Sequence, residues 1–351
     1  MASSTIAEPA VVVTAGIDTH ADVNVAAALD QRGRLLGAAP FPTTASGHRQ
    51  LEAWLADFGQ IDAIGIEGTG AWGAGIARHC TAQGHRVIEV DRPNRQTRYR
   101  RGKSDTIDAE AAARAVQAGT ATGTPKARTG LVESIRALRV ARRSALKDRS
   151  SAMHQIHSLV STAPDELRSQ LRGLAARRLV TTCASFRPGD LTDPVQATKQ
   201  ALRSIARRHQ RLTEEIAELD TQLGPLVTTA APKSMLARSG VGIDVAGQLL
   251  VTAGDNPDRL HTPAAFVHLC GVAPIPVSSG RSSANRLNRG GDRAANAALY
   301  RIAICRLRWD PNTRAFIDKK IKEGKTKKGA IRCLKHYIAR EIYNDLRQIT
   351  P

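Results

Sequence analysis

The chain has 351 residues, enough for two or three domains, and carries 51 Lys and Arg against 32 Asp and Glu, a formal net charge of +19. That balance points to a polyanionic partner, nucleic acid first, and aromatics at only 3% exclude base stacking as the main mode in favour of phosphate and shape recognition by Arg and Lys. Five scattered cysteines without a C-x-x-C pair exclude a disulfide framework and a zinc site, and the lack of a leader or of an apolar run near the ~18 residues of a membrane span gives a cytoplasmic protein with no membrane partner.

In chain order, Val11–Ile17 is an apolar run that reads as a buried strand, and Asp18 closes it. Asn24–Leu29 and Leu36–Phe41 read as the second and third strands. Leu51, Trp54, Leu55 and Phe58 have helical spacing and place a helix over Ser46–Phe58. Ile61–Ile66 is a fourth strand closed by Glu67, followed by a helix over Ala71–Gln83 and a strand over Arg86–Val90. A helix then begins in Lys103-Ser104-Asp105-Thr106-Ile107-Asp108, where Asp105 and Asp108 fall three apart and share a face. Three early strands followed by alternating strand and helix is the order of a ribonuclease H-like (RuvC-like) α/β domain, assigned to residues 10–125.

Asp18, Glu67, Asp105 and Asp108 thus sit on two strand ends and one helix face, which can converge on a point. Clustered carboxylates repel one another without cations, and hard oxygen ligands so arranged suit Mg²⁺, with Mn²⁺ as the alternative. Taken singly, each acid reads first as a strand-end turn residue or a helix cap; taken as a set they read as a divalent-metal site for phosphodiester chemistry. Arg98, Arg100, Arg101 and Lys103, just before the helix, are candidates for the nucleic-acid surface.

Beyond residue 130 the pattern changes. Leu131, Ile135, Leu138, Arg142, Ala145, Arg149, Ala152, Ile156 and Leu159 form a heptad seam interrupted by two arginines, and a second seam runs from Leu202 through His209 and Ile216 to Leu226. The two imply an antiparallel hairpin, a dimer-forming coiled coil, or both, over residues 126–230. Arg142 and Arg149 either face phosphate or are solvated charges on a spacer. Residues 231–351 form a mainly α-helical domain. Within it Ser239–Ala246 has a helix-hairpin-helix-like Gly-x-Gly turn, equally readable as an ordinary turn. The polar stretch from Pro276 to Asp292, with Arg281, Arg286 and Arg289, and then Arg293, reads as a phosphate-gripping loop leading into a helix over about 293–307. The lysines from Lys319 to Lys328 form a further basic surface.

With these segments in hand the chain resembles the DEDD transposases of bridge-RNA-guided insertion sequences, relatives of the pilin-gene invertase. The resemblance rests on Gly16-Ile17-Asp18, Ile66-Glu67-Gly68-Thr69-Gly70 and Lys103–Ala109 at the front. At the back it rests on Gly240-Val241-Gly242, Leu269–Pro274, Ser279-Gly280 and Arg289-Gly290-Gly291. Ser239, Leu260 and His268 depart from that family's usual Pro, Phe and Tyr at packing positions. The resemblance implies that Asp18, Glu67, Asp105 and Asp108 are the metal-binding tetrad and that Ser279, with Ser278 as the adjacent alternative, is a nucleophile forming a transient phosphoserine link to DNA. It further implies donor and target DNA as substrates, a structured guide RNA, and a homo-oligomer, dimer or tetramer, whose active site is shared between protomers. A water-using nuclease of the Holliday-junction-resolvase type is the alternative activity that the acids alone would serve.

Overall fold

The computed structural model describes residues 11–90, 104–279 and 282–348. It divides into two compact units, one from Met1–Gly130 with Ala253–Ala265, the other from Leu131–Thr252 with Phe266–Thr350. The helical middle and most of the C-terminal segment, divided at residue 230 by their sequence patterns, lie in the second unit.

The first unit is built on a five-stranded sheet of β1 (Val12–Thr19), β2 (Val23–Leu29), β3 (Leu35–Pro42), β4 (Gln60–Glu67) and β5 (Val87–Val90), in the order β3-β2-β1-β4-β5. The first three strands pair antiparallel, and β4 joins β1, and β5 joins β4, in parallel. This mixed order is consistent with a ribonuclease H-like fold. β1 is central, and every residue of it from Val13 onward is buried, so it reads as a continuous apolar run instead of an alternation.

Alternation still decides which face each side chain serves. Val13, Ala15 and Ile17 of β1 and Ile64 and Ile66 of β4 pack with Leu51 and Leu55 of α1 (Ala45–Ala56) and Ile76 and Ala77 of α2 (Ala74–Ala82). Thr44 caps α1, its hydroxyl accepting from the Gly47 amide, so the helix starts one residue before Ser46. The opposite face takes α3 (Asp105–Gln117), whose Ala112 and Val116 pack on Ala63, Ile88 and Val90 while Ala109 packs on Val25 and Ala27. Ala253–Ala265 returns to this unit: the Asn256 amide donates to the Pro125 carbonyl and accepts from the Ala127 amide, each at 3.0 Å.

In the second unit α4 (Leu131–Thr162) packs along α7 (Pro194–Ala230). Arg142 meets Asp220 and Arg208 meets Gln155, so the two helices run antiparallel within one chain. At one end α5 (Asp165–Leu171) and α6 (Ala176–Ser185) close over them, with Leu167, Leu171, Leu179 and Val180 buried against Ile156, Val160 and Leu202. The Gly-x-Gly turn joins the four-residue helix α8 (Lys233–Leu236) to α9 (Ile243–Ala253). Gly240 has a φ of +81° and sits against the Ile302 carbonyl, whereas a side chain at Gly242 would meet only open space. After α10 (Pro263–Leu269) comes a hairpin of β6 (Pro274–Ser279) and β7 (Ser282–Leu287), then α11 (Arg293–Trp309), α12 (Pro311–Lys322) and α13 (Lys327–Leu346). The Arg238 guanidinium binds the buried Asp345 carboxylate, and Arg306 donates to Glu341 at 2.9 Å and to the Ser239 carbonyl at 2.9 Å, fixing the turn to α11 and α13. Among the described residues no helix is long and apolar enough to cross a membrane.

Candidate metal centre and serine hairpin

A pair of glycines positions the acidic cluster. Gly16 and Gly65 are register partners on the adjacent parallel strands β1 and β4, both on the face that carries α3. A Cβ on Gly16 would overlap the Ala109 carbonyl oxygen and the Ala113 nitrogen; one on Gly65 would lie 2.6 Å from Val116 Cγ2 and 3.0 Å from the Ala112 carbonyl. Backbone therefore rests directly on backbone, a closeness only glycine permits. Two residues further along each strand, on the same face, stand Asp18 and Glu67. On the helix, Asp108 directly precedes Ala109 and Asp105 stands one turn before it.

That packing delivers Asp105 to Asp18. Donor atoms of Asp18, His20 and Asp105 all lie within 4.8 Å of one another. His20 Nε2 is 3.2 Å from Asp18 Oδ2 and 3.3 Å from Asp105 Oδ1, so the imidazole bridges the two carboxylates. Asp18 and Asp108 are buried, Asp105 is half-exposed, and one carboxylate oxygen of Glu67 is wholly buried. Burial raises the Asp18 pKa above its ordinary 3.8; His20 pulls it down, while the nearby Asp108 and Asp105 push it up further. A buried carboxylate held among other acids is the electrostatic situation that a divalent cation relieves. The carboxylate oxygens are hard donors that fit Mg²⁺ or Mn²⁺, with the His20 imidazole beside two of them.

The strand ends are tied together around this point. The Thr19 hydroxyl donates to the Glu67 carbonyl at 2.9 Å, and Gly68 then turns the chain with a φ of +70°. Arg128 donates to the Gly70 carbonyl at 2.7 Å from a left-handed conformation, φ 55°, that its side chain disfavours. Among the described residues it is the sole non-glycine with positive φ. Strain of this kind is held where a loop must be placed, here the loop just after Glu67. Ser104 makes no side-chain capping bond to α3, and the two acids of its first turn stand beside the positive end of the helix dipole.

The other residues singled out by sequence fall in different places. Ser279 is the last residue of β6, its backbone paired with Ser282 of β7, and Ser278 is exposed one pair below. Arg98, Arg100, Arg101, Lys103 and Arg281 lie outside the described residues. Arg286, Arg289 and Arg293 are exposed around the hairpin base. That base is locked: the Asn288 amide donates to the His268 carbonyl at 2.9 Å, and a Cβ on Gly291 would overlap the Gly271 backbone. Arg142 is engaged internally, bound to Asp220 and to Asp244 Oδ1 at 3.3 Å, with Arg139 and Arg301 on the same Asp244. Arg149 is half-buried beside His209, and its charge, with burial, holds the His209 pKa below the ordinary imidazole value.

The family model of the IS110-type DEDD transposase, described as "Transposase", matches residues 15–164, a span that contains all four acids. A second model, described as "Transposase IS116/IS110/IS902 family", matches residues 235–318, which contain the serine hairpin. Two curated relatives are similar over shorter stretches. The insertion element IS900 uncharacterized 42 kDa protein of Mycobacterium paratuberculosis is 29% identical over 133 residues, 35% of this chain and 33% of the relative. The insertion element IS110 uncharacterized 43.6 kDa protein of Streptomyces coelicolor is 33% identical over 126 residues, 35% of this chain and 31% of the relative. The chain thus matches about a third of the length of these relatives. With the DEDD domain at the front, the transposase domain behind it, and the two together spanning well over half of its length, the chain belongs to the IS110 family of DEDD transposases.

Proposed function

We propose that the protein is a DNA transposase that cuts and rejoins strands through a serine–DNA intermediate. The observation that carries this reading is the glycine-cradled approach of α3, which places Asp105 and Asp108 beside Asp18 at the end of the strand that neighbours Glu67. Asp18, Glu67, Asp105 and Asp108 would hold the metal, Mg²⁺ in the cell. Bound there, divalent ions would polarise the scissile phosphate and stabilise its developing charge.

The chain's own residues account for the rest. The Ser279 hydroxyl attacks phosphorus; a phosphoserine ester forms and the bond to the leaving deoxyribose oxygen breaks. The serine proton is released and the leaving oxygen takes one up. Phosphoester bonds are conserved in number, so resealing is the reverse attack by a deoxyribose hydroxyl and needs no ATP. His20, between Asp18 and Asp105, orients both carboxylates. The basic face around Arg286, Arg289 and Arg293 would hold backbone phosphate. The family resemblance supports two further elements: a structured guide RNA that supplies sequence by base pairing, and an oligomer in which the tetrad and the serine serve one phosphate.

The test is a covalent trap. The protein is expressed with its element's flanking DNA, denatured, nuclease-trimmed and examined by mass spectrometry for a nucleotide on the peptide containing Ser278 and Ser279. An adduct lost in Ser279→Ala and kept in Ser278→Ala is the expected result. Loss only in Ser278→Ala moves the nucleophile by one residue. Strand cutting with no adduct in any form overturns the serine mechanism in favour of water.

A further inference from the structure

The C-terminal unit carries a cleft that shares Arg286 and Arg289 with the basic face beside the serine hairpin and adds cations and aromatic rings of its own. Between the base of the β6–β7 hairpin and helices α11 to α13 lies an open cleft of about 1020 Å³. Its walls are cationic: Arg286 and Arg289 come from the hairpin side, Lys320 and Lys325 from the end of α12 and the turn after it, Arg332 and Lys335 from α13. Among the described residues no aspartate or glutamate lines it; Glu323, which binds the Lys320 ammonium at 2.7 Å, stands outside the lining. Lys335 is the deepest of these cations. It donates to Asn296 Oδ1 at 2.6 Å, and burial together with the Arg332 charge lowers its pKa, so an anion entering the cleft meets charge that water does not fully screen.

Charge alone would suit any polyanion. The aromatic residues narrow the choice. Tyr300 and Tyr337, two of the four tyrosines in the chain, line the same cleft and are 47% and 50% exposed. Tyr337 is braced by the near-perpendicular rings of Phe316 and His336, each at 5.6 Å, so its orientation is fixed while half of it stays in solvent. Tyr300 has the Lys335 ammonium 6.0 Å from its ring. Duplex DNA presents phosphates to such a surface but keeps its bases stacked inside, leaving the rings without partners. Unpaired nucleotides present both phosphate and a free base face.

We propose that this cleft binds an unpaired stretch of nucleic acid, with bases stacked on Tyr300 and Tyr337 and backbone phosphates on Arg286, Lys325 and Arg332. This rests on the reading of the protein as a nucleic-acid enzyme, and adds that it grips single strands here by stacking. The scarcity of aromatics along the whole chain concealed a local pair.

The full chain is titrated by fluorescence anisotropy against labelled oligo(dT), oligo(U) and a blunt duplex, each of about 12 nucleotides or base pairs, within the usual footprint of one single-strand site. Tyr300→Leu and Tyr337→Leu are each expected to weaken single-strand binding roughly tenfold while duplex affinity stays unchanged, with Tyr→Trp restoring it at either position. Lys325→Ala and Arg332→Ala should each flatten the salt dependence of single-strand binding by about 0.7 in log–log slope. Tighter oligo(dT) than oligo(U) binding assigns the cleft to a DNA strand and the reverse to an RNA loop; either supports the proposal. Leucine variants that bind single strands like the wild type, or lose duplex equally, overturn the cleft and leave the transposase reading standing. A chain that binds none of the three overturns both.

Discussion

Asp18→Asn is expected to abolish transposition while leaving the protein folded and, without metal, more resistant to heat than the wild type. The loss should be a thousandfold or more, the factor that about 4 kcal/mol of metal-assisted charge stabilisation represents. Glu67→Gln and Asp105→Asn should lose activity to a similar degree in an assay of element excision and insertion. The stability gain follows from burial. Folding raises the Asp18 pKa above its ordinary 3.8, so the folded protein keeps the proton at pH values where the unfolded chain has released it. The stability contributed is complete below 3.8 and is lost as pH rises through the raised folded value. Above both, the ionised carboxylate is a standing cost to the metal-free fold that asparagine removes. Thermal scans in EDTA should therefore show wild type and Asp18→Asn converging toward low pH and diverging at neutral pH, the variant melting higher. A variant that melts lower at neutral pH would place Asp18 in a purely structural role.

Gly16→Ala carries the second large effect. Its Cβ would overlap main-chain atoms of Ala109 and Ala113, which cannot rotate aside as a side chain can. The helix must move off the sheet, at a cost upwards of about 3 kcal/mol for overpacking against backbone. A fall in Tm of roughly 10 °C is expected. Asp105 and Asp108 travel with that helix, and a displacement near 1 Å at a reacting centre costs about a hundredfold in rate. Gly65→Ala should be milder, since its nearest neighbour is the movable Val116 side chain, and Gly173→Ala, with open space around it, should be silent. Equal Tm values for Gly16→Ala and Gly173→Ala, read by calorimetry, would contradict the cradle.

Much of the first unit was legible because its elements carry strong local signals. The apolar runs ending at Asp18 and Glu67 mark two central strands, and burial on both faces explains why they do not alternate. The acids at positions 105 and 108 mark a helix start for which Ser104 gives no capping bond. What brings these pieces together was not legible in the same way. Gly16 and Gly65 are ordinary glycines in sequence, and only the parallel register of β1 and β4 makes them a seat for α3. His20 stands two residues past Asp18 in sequence, and only the placing of Asp105, far along the chain, gives its imidazole a second carboxylate to meet. In the helical unit Arg142 invites phosphate when read as a seam residue, but Asp220 and Asp244, 78 and 102 positions away, already hold it. The return of Ala253–Ala265 to the first unit depends on Asn256 reaching Pro125 and Ala127, which no local pattern encodes. Periodicity reports local packing; long-range polar pairs leave no trace in it.

If the four acids form one divalent-metal centre, Mn²⁺ binding followed by electron paramagnetic resonance reports it without any assay of strand transfer. Wild type, Asp18→Asn, Glu67→Gln and Asp105→Asn are each titrated with Mn²⁺ at neutral pH, and Mg²⁺ is then added as competitor. Saturable Mn²⁺ binding by the wild type, displacement by Mg²⁺, and loss or strong weakening of that binding in all three variants are expected. Mn²⁺ binding unchanged by all three substitutions would contradict such a centre, because the acids would then be structural and the strand chemistry would have to be located elsewhere.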